Sequence, residues 1–224
     1  MKKTIVITGA NRGLGKAFVE VLIKDEDCFV ISISRSLSEA QKAYKSNQFY
    51  FLEADLSEVG IAEKITVLRG LIGEEPVYFI NNASIIEPVV KIKDLDEASI
   101  DKMLLVNIKS TMLITTFMLR EFSANALTFV NISSGAAKRA ISNWSLYCSS
   151  KAFTEMFFNT AESECQQHRF FNINPGVMDT GMQKMLRASD FPDVDNFKEL
   201  QKEGQLKAPI AVAEDILKTI EING

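Results

Sequence analysis

The sequence is poor in the residue types that build metal centres and disulfide frameworks. Its 224 residues contain one histidine and three cysteines, which lie far apart at Cys28, Cys148 and Cys165. This distribution matches neither a zinc-ligand spacing nor a set of disulfide pairs, and it is typical of a reducing compartment. A mechanism that needs a histidine base has only His168, which we expect to cap a helix end at the surface because its neighbours are polar.

Long apolar runs and dense basic clusters are also missing. No run approaches the ~20 apolar residues that a membrane-spanning helix needs. The first apolar run, from Thr4 to Thr8, is too short for a signal peptide and stops at Gly9, so it predicts a strand. The net charge is −4, and no cluster of Lys and Arg is dense enough to follow a phosphate backbone. These absences argue against a nucleic-acid or membrane partner and predict a soluble, cytoplasmic protein.

The apolar residues, which make up 46% of the chain, occur in two alternating kinds of segment. Short β-branched or aromatic runs alternate with stretches of helical periodicity. Strands are predicted at residues 4–8, 29–33, 48–52, 77–80, 127–132 and 170–173, and helices at 13–24, 37–45, 61–71, 99–122 and 145–165. This alternation predicts an α/β fold: one doubly wound, Rossmann-like parallel sheet with helices on both faces, in a single domain over 1–224.

Residues 178–209 interrupt this pattern, and we call them the lid segment. The segment is polar and we expect it to be irregular, which at this length is typical of a functional lid. Asp190, Asp193 and Asp195 raise the alternative of a metal site. Because they lack the glycine and the distal glutamate of a calcium loop, we interpret them as a solvated acidic surface.

Three glycines follow the first strand, in Thr8-Gly-Ala-Asn-Arg-Gly-Leu-Gly15. A doubly wound sheet binds nucleotides at this position, where Gly9 allows the tight turn and Gly13 lets the backbone approach a diphosphate. Gly15 lets the helix pack closely, and the N–H groups of the helix N-terminus face the phosphates. A plain strand-to-helix turn is the alternative interpretation.

A second pattern is Tyr147-Cys-Ser-Ser-Lys151, in which two side chains are neighbours on one helix face. Alone, it also fits a half-buried tyrosine beside a solvated lysine. With the spacing Gly-x-x-x-Gly-x-Gly, however, the sequence resembles the short-chain dehydrogenase/reductase family from Lys3 to about Thr180. The same order includes Asp55 after the third strand, Asn81-Asn82-Ala83, Asn107, Ser133-Ser134 and Pro175-Gly176.

The resemblance implies a catalytic set of Asn107, Ser134, Tyr147 and Lys151. Tyr147 would exchange a proton with a carbonyl oxygen that Ser134 holds, and Asn107 would orient a water that relays protons to Lys151. A lysine ammonium about 4 Å away supplies roughly 4 kcal/mol, enough to lower a tyrosine pKa by about three units. The alternative for Asn107 is an asparagine that forms its hydrogen bonds within its own helix, and the alternative for Ser134 is a serine in the turn after a strand.

Charge at the end of the second strand indicates the cofactor. Ser34 and Arg35 stand where an acid would bind the ribose of NAD, and Arg35 with Arg12 suits the 2′-phosphate of NADP(H). Asp55, next to Leu56, would accept from adenine or instead cap the turn before Ser57. The residues expected to bind NADP(H) are Gly9, Asn11, Arg12, Gly13, Leu14, Gly15, Ser34, Arg35, Asp55, Leu56, Asn82, Ala83, Tyr147, Lys151, Pro175, Gly176, Val177 and Thr180.

Within the family, the sequence looks like the branch that contains sepiapterin reductase and bacterial benzil reductase. That likeness implies reduction of a ketone next to another carbonyl. The apolar residues that we expect to line the substrate cavity are Ile85, Ile86, Trp144, Met178, Met182, Met185 and Phe191. The alternative is that each of them only packs in the core or the lid. The alternatives are an alcohol dehydrogenase acting oxidatively, a pterin reductase, and an NADP-sensing protein without catalysis.

Two departures from the family pattern accompany this likeness. Ser84 stands where a glycine is usual, and a positive φ at that position would strain it. The chain also ends before the family's seventh strand and tail, so it is either naturally short or truncated. We expect a homodimer in which the helices at 99–122 and 145–165 form the interface. The competing interpretation is that the apolar runs of these helices belong to the core of the fold.

Overall fold

Six parallel strands form the centre of the computed structural model, which describes residues 2–222. They are β1 (Lys3–Thr8), β2 (Cys28–Ser34), β3 (Phe49–Glu53), β4 (Val77–Asn81), β5 (Leu127–Ile132) and β6 (Arg169–Ile173). The order across the sheet is β3-β2-β1-β4-β5-β6. The strand order reverses between β1 and β4, and a doubly wound sheet opens a crevice there at its carboxyl edge. The predicted Rossmann-like sheet is confirmed.

Helices cover both faces of this sheet. They are α1 (Gly13–Leu22), α2 (Ile61–Lys64), α3 (Glu97–Met103), α4 (Ser110–Glu121), α5 (Ser145–Glu164), α6 (Gly181–Arg187), α7 (Val194–Lys202) and α8 (Pro209–Thr219). Successive strand residues point to opposite faces. Ile5 and Ile7 therefore pack with α1 and α8, whereas Val6 packs with α2, α4 and α5. Both faces are apolar because both are covered, as in other parallel sheets.

Two of the predicted helices are much shorter than the sequence indicated. The segment 37–45 contains only a 3₁₀ turn, Ala40–Ala43. The segment 61–71 begins as α2 and tightens into the 3₁₀ helix Ile65–Gly70. The β-branched run Ile65-Thr66-Val67 lowers helix propensity at this point, and 3₁₀ geometry is common at the ends of such short helices.

The lid segment is more regular than predicted, because α6 and α7 lie within it. Thr180 caps α6, its hydroxyl accepting from the Gln183 N–H, and the buried Gln183 amide donates to the Phe197 carbonyl of α7 at 3.3 Å. Backbone hydrogen bonds between Lys207 and residues 177 and 179 tie the two ends of the segment together. The segment is ordered because the apolar residues of α6 and α7 pack together. Its polar overall composition did not indicate this packing.

The helical stretch Glu97–Glu121 is continuous over 25 residues and has a mean hydropathy of 1.3. By length and composition alone it could cross a membrane. In this fold Val106, Ile114 and Met118 pack it against the sheet. A core helix of the sheet explains its apolar character.

His168 is buried rather than at the surface, which corrects the expectation drawn from its polar neighbours. Only 6% of the residue is exposed, and neither ring nitrogen has a hydrogen-bond partner among the residues described. Burial lowers the pKa of His168 because the charged imidazolium loses hydration. The residue lies in the connection between α5 and β6.

We expect His168 to make the protein less stable in acid. Below about pH 6.5 the unfolded chain binds a proton that the buried imidazole resists, so the free energy of unfolding falls with pH until the folded-state pKa is passed. Each unit between the two pKa values is worth about 1.4 kcal/mol. His168→Leu should flatten the dependence between pH 7 and pH 5 in urea unfolding. An equally steep decline in the variant would show that other groups cause it.

Candidate active site

A cavity of about 520 Å³ lies at the carboxyl edge of the sheet, beside the strand-order reversal. Its lining includes every residue expected to bind NADP(H) except Gly15, together with Ser134 and the candidate substrate residues Ile85, Trp144, Met178 and Met182. Ile86 also lines it, whereas Met185 and Phe191 pack behind it. Asn107 lies outside the lining. Residues from position 9 to position 197 therefore meet in one space.

The loop from Thr8 to Gly15, which we call the glycine loop, leaves one end of this cavity open to an anion. Gly9 and Gly13 have φ values of +66° and +55°, in the left-handed region that glycine adopts without strain. Arg12 precedes α1 and provides no side-chain cap to it. The first N–H groups of α1 and its positive dipole end are therefore directed at the cavity.

Gly15 acts by close packing rather than by lining the cavity. A Cβ at this position would stand 2.2 Å from the Gly9 carbonyl oxygen and 2.5 Å from the Asn82 amide nitrogen. That Asn82 nitrogen donates to the carbonyls of Thr8 and Gly9 at 2.9 and 3.2 Å. The Thr8 hydroxyl in turn accepts from the N–H groups of Asn82 and Ala83. These bonds join the loop after β4 to the glycine loop.

Ser84, in the loop after β4, does not adopt a left-handed backbone conformation. Among residues 2–222, the non-glycine residues with positive φ are Asn143 and Glu221. Ser84 therefore carries no left-handed strain, and the expected departure at the loop after β4 does not occur.

Arg35 and Asp55 stand at the adenosine end of the cavity. The Arg35 side chain is 59% exposed, and its Nη1 lies 4.0 Å from Asp55 Oδ2, too exposed and too long for a strong pair. Asp55 Oδ1 accepts from the Ser57 N–H at 2.9 Å and hydroxyl at 2.7 Å. Burial alone would raise the pKa of Asp55, but these bonds and Arg35 hold that pKa below its usual value. Asp55 thus shapes the turn, and its remaining oxygen is available to a ligand.

Tyr147 lies in the first turn of α5 and is 7% exposed. Burial raises its pKa to about 12, and a hydrogen bond with Ser134 offsets part of that rise. Lys151 Nζ is 5.7 Å from the centre of the phenol ring. The rise in the pKa of Tyr147 is opposite to the expectation that Lys151 brings the tyrosine pKa towards neutrality, because desolvation of the phenolate is the largest effect on the phenol.

Lys151 is buried under Tyr147 and anchored to the end of β5. Its Nζ donates to the Ile132 carbonyl at 2.7 Å. Burial lowers the pKa of Lys151 to about 8, while the charge of Glu155 acts in the opposite direction. The ammonium is consequently charged at neutral pH but close to losing its proton.

Asn107 lies in a π-helical turn, Leu104–Lys109, between α3 and α4. Its side-chain oxygen accepts from the Ile85 N–H at 2.9 Å, and its amide nitrogen donates to the Ile85 carbonyl at 2.9 Å and to Ser150 Oγ at 3.0 Å. The side chain is thus a brace between the loop after β4 and α5, beside Tyr147 and Lys151. π-helical turns are frequent at functional sites.

The other end of the cavity is apolar and covered by the lid segment. The Trp144 ring lies 5.9 Å from Tyr147 and 5.5 Å from Phe197 of α7, measured between ring centres. Several lining residues escaped the sequence-based prediction, namely Lys102, Arg139, Ile141, Gln183, Leu186 and Phe197. Arg139 and Ile141 follow Ser134 so closely that proximity in sequence could have suggested them, whereas Leu186 and Phe197 needed the fold of the lid.

Within the described part of the chain, no group of three or more His, Cys, Asp or Glu side chains could hold a metal ion. The lid carboxylates Asp190, Asp193 and Asp195 form no such group.

Comparison with known proteins places these features in a family. The family model described as short chain dehydrogenase matches residues 3–190. Benzil reductase ((S)-benzoin forming) of Bacillus subtilis is 31% identical, over 96% of this chain and 92% of its own. Sepiapterin reductase of Bos taurus is 29% identical, over 90% and 83%. The crystal structure of a short-chain dehydrogenase/reductase from Saccharomyces cerevisiae superposes with a TM-score of 0.84 at 27% identity, covering 93% of this chain and 86% of that one.

Proposed function

The chain belongs to the short-chain dehydrogenase/reductase family of oxidoreductases, and we propose that it is an NADPH-dependent carbonyl reductase acting on α-dicarbonyl compounds. The observation that carries this proposal is the meeting of Ser134, Tyr147 and Lys151 in one cavity with the glycine loop. Within that cavity, the lid covers an apolar space beside the tyrosine that suits a small organic substrate.

The cavity suits an anionic dinucleotide. The space above Gly9 and Gly13 and the N-terminus of α1 accommodate a diphosphate. The lining has one carboxylate, Asp55, and five cationic side chains: Arg12, Arg35, Lys102, Arg139 and Lys151. In this assignment Arg35 and Arg12 bind the 2′-phosphate, Lys151 binds the nicotinamide ribose, and Thr180 binds the carboxamide.

NADPH, when bound, would supply the hydride for the carbonyl carbon. Tyr147 donates its phenolic proton to the carbonyl oxygen, which becomes far more basic than a phenolate as hydride arrives. Ser134 donates a hydrogen bond to the same oxygen and stabilises its developing charge. Lys151 stabilises the resulting phenolate. Asn107 holds α5 in register with the loop after β4, and its π-helical turn is where we assign the water that returns a proton.

The protonated form of Tyr147 suits the reductive direction. A pKa of about 12 keeps the phenol protonated at neutral pH, which is the form that reduction needs. An oxidative alcohol dehydrogenase would require the phenolate. A sensing protein without catalysis would not require the buried Tyr147–Lys151 pair. We therefore propose reduction as the function, although the same residues would serve the oxidative direction.

The experiment that tests this function is NADPH oxidation with a matched panel of carbonyl compounds. Benzil and 1-phenyl-1,2-propanedione represent diketones, acetophenone lacks the second carbonyl, and sepiapterin represents pterins. We expect kcat/KM to be highest for the diketones. Much faster turnover of sepiapterin would make the pterin alternative the better one. NADPH binding without turnover of any compound would contradict the reductase proposal.

Arg35 provides a separate test of cofactor choice. Arg35→Ala should weaken NADPH binding by about 10- to 100-fold, because a charge-assisted bond to the 2′-phosphate is worth roughly 1.5–3 kcal/mol. NADH binding should change little. Fluorescence titration of both cofactors measures the ratio, with the exposed Arg120, outside the cavity, changed to Ala as the control. Equal losses for NADPH and NADH would contradict the assignment.

The assembly that we propose is a homodimer in the cytoplasm. Four large apolar side chains are exposed on the π-helical turn, α4 and α5, namely Leu104, Met112, Phe153 and Met156. A second copy would cover this face, and the three free cysteines suit a reducing compartment. Light scattering should give twice the chain mass, and Met156→Glu should shift it towards the monomer.

A further inference from the structure

Glu155 is a buried carboxylate on α5 that none of the steps above uses. Its side chain is 11% exposed. One oxygen accepts from the Ser133 hydroxyl at 2.6 Å, and the other lies 2.7 Å from Lys138 Nζ. Charged side chains are rarely buried unless they are paired, and both oxygens of this one are engaged.

These two contacts bracket the loop that carries Ser134. Ser133 directly precedes Ser134 at the end of β5, and Lys138 directly follows the 3₁₀ turn Gly135–Ala137. The Ser134 hydroxyl itself accepts from the Ala136 N–H, at 3.2 Å, within the same short turn. Glu155 therefore joins both sides of this loop to the helix that carries Tyr147.

Glu155 also lies one helical turn beyond Lys151. The titratable groups that face Lys151 from its own helix are Tyr147 and Glu155. The end of β5 contributes the Ile132 carbonyl, and the loop after it contributes Lys138, which is held by Glu155. A carboxylate in this position favours the charged form of the buried lysine.

We propose that Glu155 is a positioning residue of the active site: it holds the Ser134 loop against α5 and keeps Lys151 charged. This inference rests on the proposed reductase function for its effect on turnover. Its effect on Lys151 is independent of turnover, since Lys151 is also assigned to cofactor binding.

The test is the pH dependence of Glu155→Gln, which keeps the shape of the side chain and removes its charge. In the wild type, kcat/KM and the affinity for NADPH should both decline above about pH 8, as Lys151 loses its proton. In the variant this decline should begin about one pH unit lower. Glu162→Gln removes an equal charge from the exposed side of the same helix and should leave the profile unchanged.

Two further variants separate the two roles and guard against a variant that fails to fold. Lys138→Gln, at a side chain that is 75% exposed, should move the decline to higher pH because Glu155 loses its competing cation. Glu155→Asp keeps the charge but shortens its reach, so kcat should fall about tenfold with the decline near the wild-type pH. Unchanged profiles for Glu155→Gln and Lys138→Gln in the NADPH titration would overturn the proposal, even if no carbonyl compound proves to be a substrate.

Discussion

Tyr147→Phe should reduce carbonyl turnover by about 10³-fold, because a positioned general acid contributes roughly 10²–10⁴ to a rate. The change removes one oxygen from a side chain that is otherwise packed against Trp144. The hydride acceptor would then develop negative charge with only Ser134 as a nearby donor. Stopped-flow measurement of NADPH oxidation with benzil, at saturating cofactor, isolates this step from binding.

The same variant should bind NADPH almost as tightly as the wild type. The glycine loop and Arg35 lie on other elements, and Lys151 keeps its anchor on the Ile132 carbonyl. Thermal unfolding should change by at most a few degrees, since the ring remains. Ser134→Ala is the companion variant, with a smaller expected loss of about 10²-fold. Retention of most activity in Tyr147→Phe would assign the proton to another donor and refute the mechanism.

The elements with local signals were predictable from sequence. The short apolar strands are β-branched or aromatic, and the glycines at positions 9, 13 and 15 follow the first strand directly. The sheet and its carboxyl edge follow from this order. The lid helices were not predictable, because Leu186 and Phe197 become core only when α6 and α7 pack over Trp144. Polar composition alone made that segment resemble an irregular loop.

Some hydrogen bonds beneath the site depend on the register of the paired strands, which cannot be read from the sequence. Asn81, Asn131 and Asn172 lie side by side at the ends of β4, β5 and β6. Their side chains form a chain of hydrogen bonds, Asn81 donating to Asn131 at 3.0 Å and Asn131 to Asn172 at 2.8 Å. Beyond Asn81 the chain continues to Thr111, one turn after Asn107. It therefore runs beneath the site from α4 to β6, and only the paired strands bring its members together.

The pKa of Tyr147 shows a second limit of sequence reasoning. The spacing of Tyr147 and Lys151 correctly brings them onto one helix face, but it does not give the depth at which they lie. Burial opposes charge on both side chains, raising the pKa of the phenol and lowering that of the lysine. Burial therefore disfavours the phenolate form of the tyrosine, which the spacing alone did not indicate.

Gly15→Ala should weaken NADPH binding by about 10- to 100-fold and destabilise the fold by roughly 1–3 kcal/mol, the usual cost of overpacking. The new Cβ would lie 2.2 Å from the Gly9 carbonyl oxygen, a backbone atom that cannot swing aside like a long side chain. Asn82, the other close neighbour, is held by its bonds to Thr8 and Gly9. The start of α1 must therefore move away from the loop that receives the diphosphate.

Two other glycines of the same cavity provide matched controls for this prediction. Gly181→Ala adds a Cβ with no atom within 4 Å, at the first position of α6, where alanine favours the helix. Gly13→Ala meets only Thr180, at 3.6 Å, but must adopt a φ of +55°, which costs about 1 kcal/mol. NADPH titration and thermal unfolding should thus rank the losses as Gly15, then Gly13, then Gly181. A Gly15→Ala protein that behaves like Gly181→Ala would show that α1 does not need its close contact with the glycine loop.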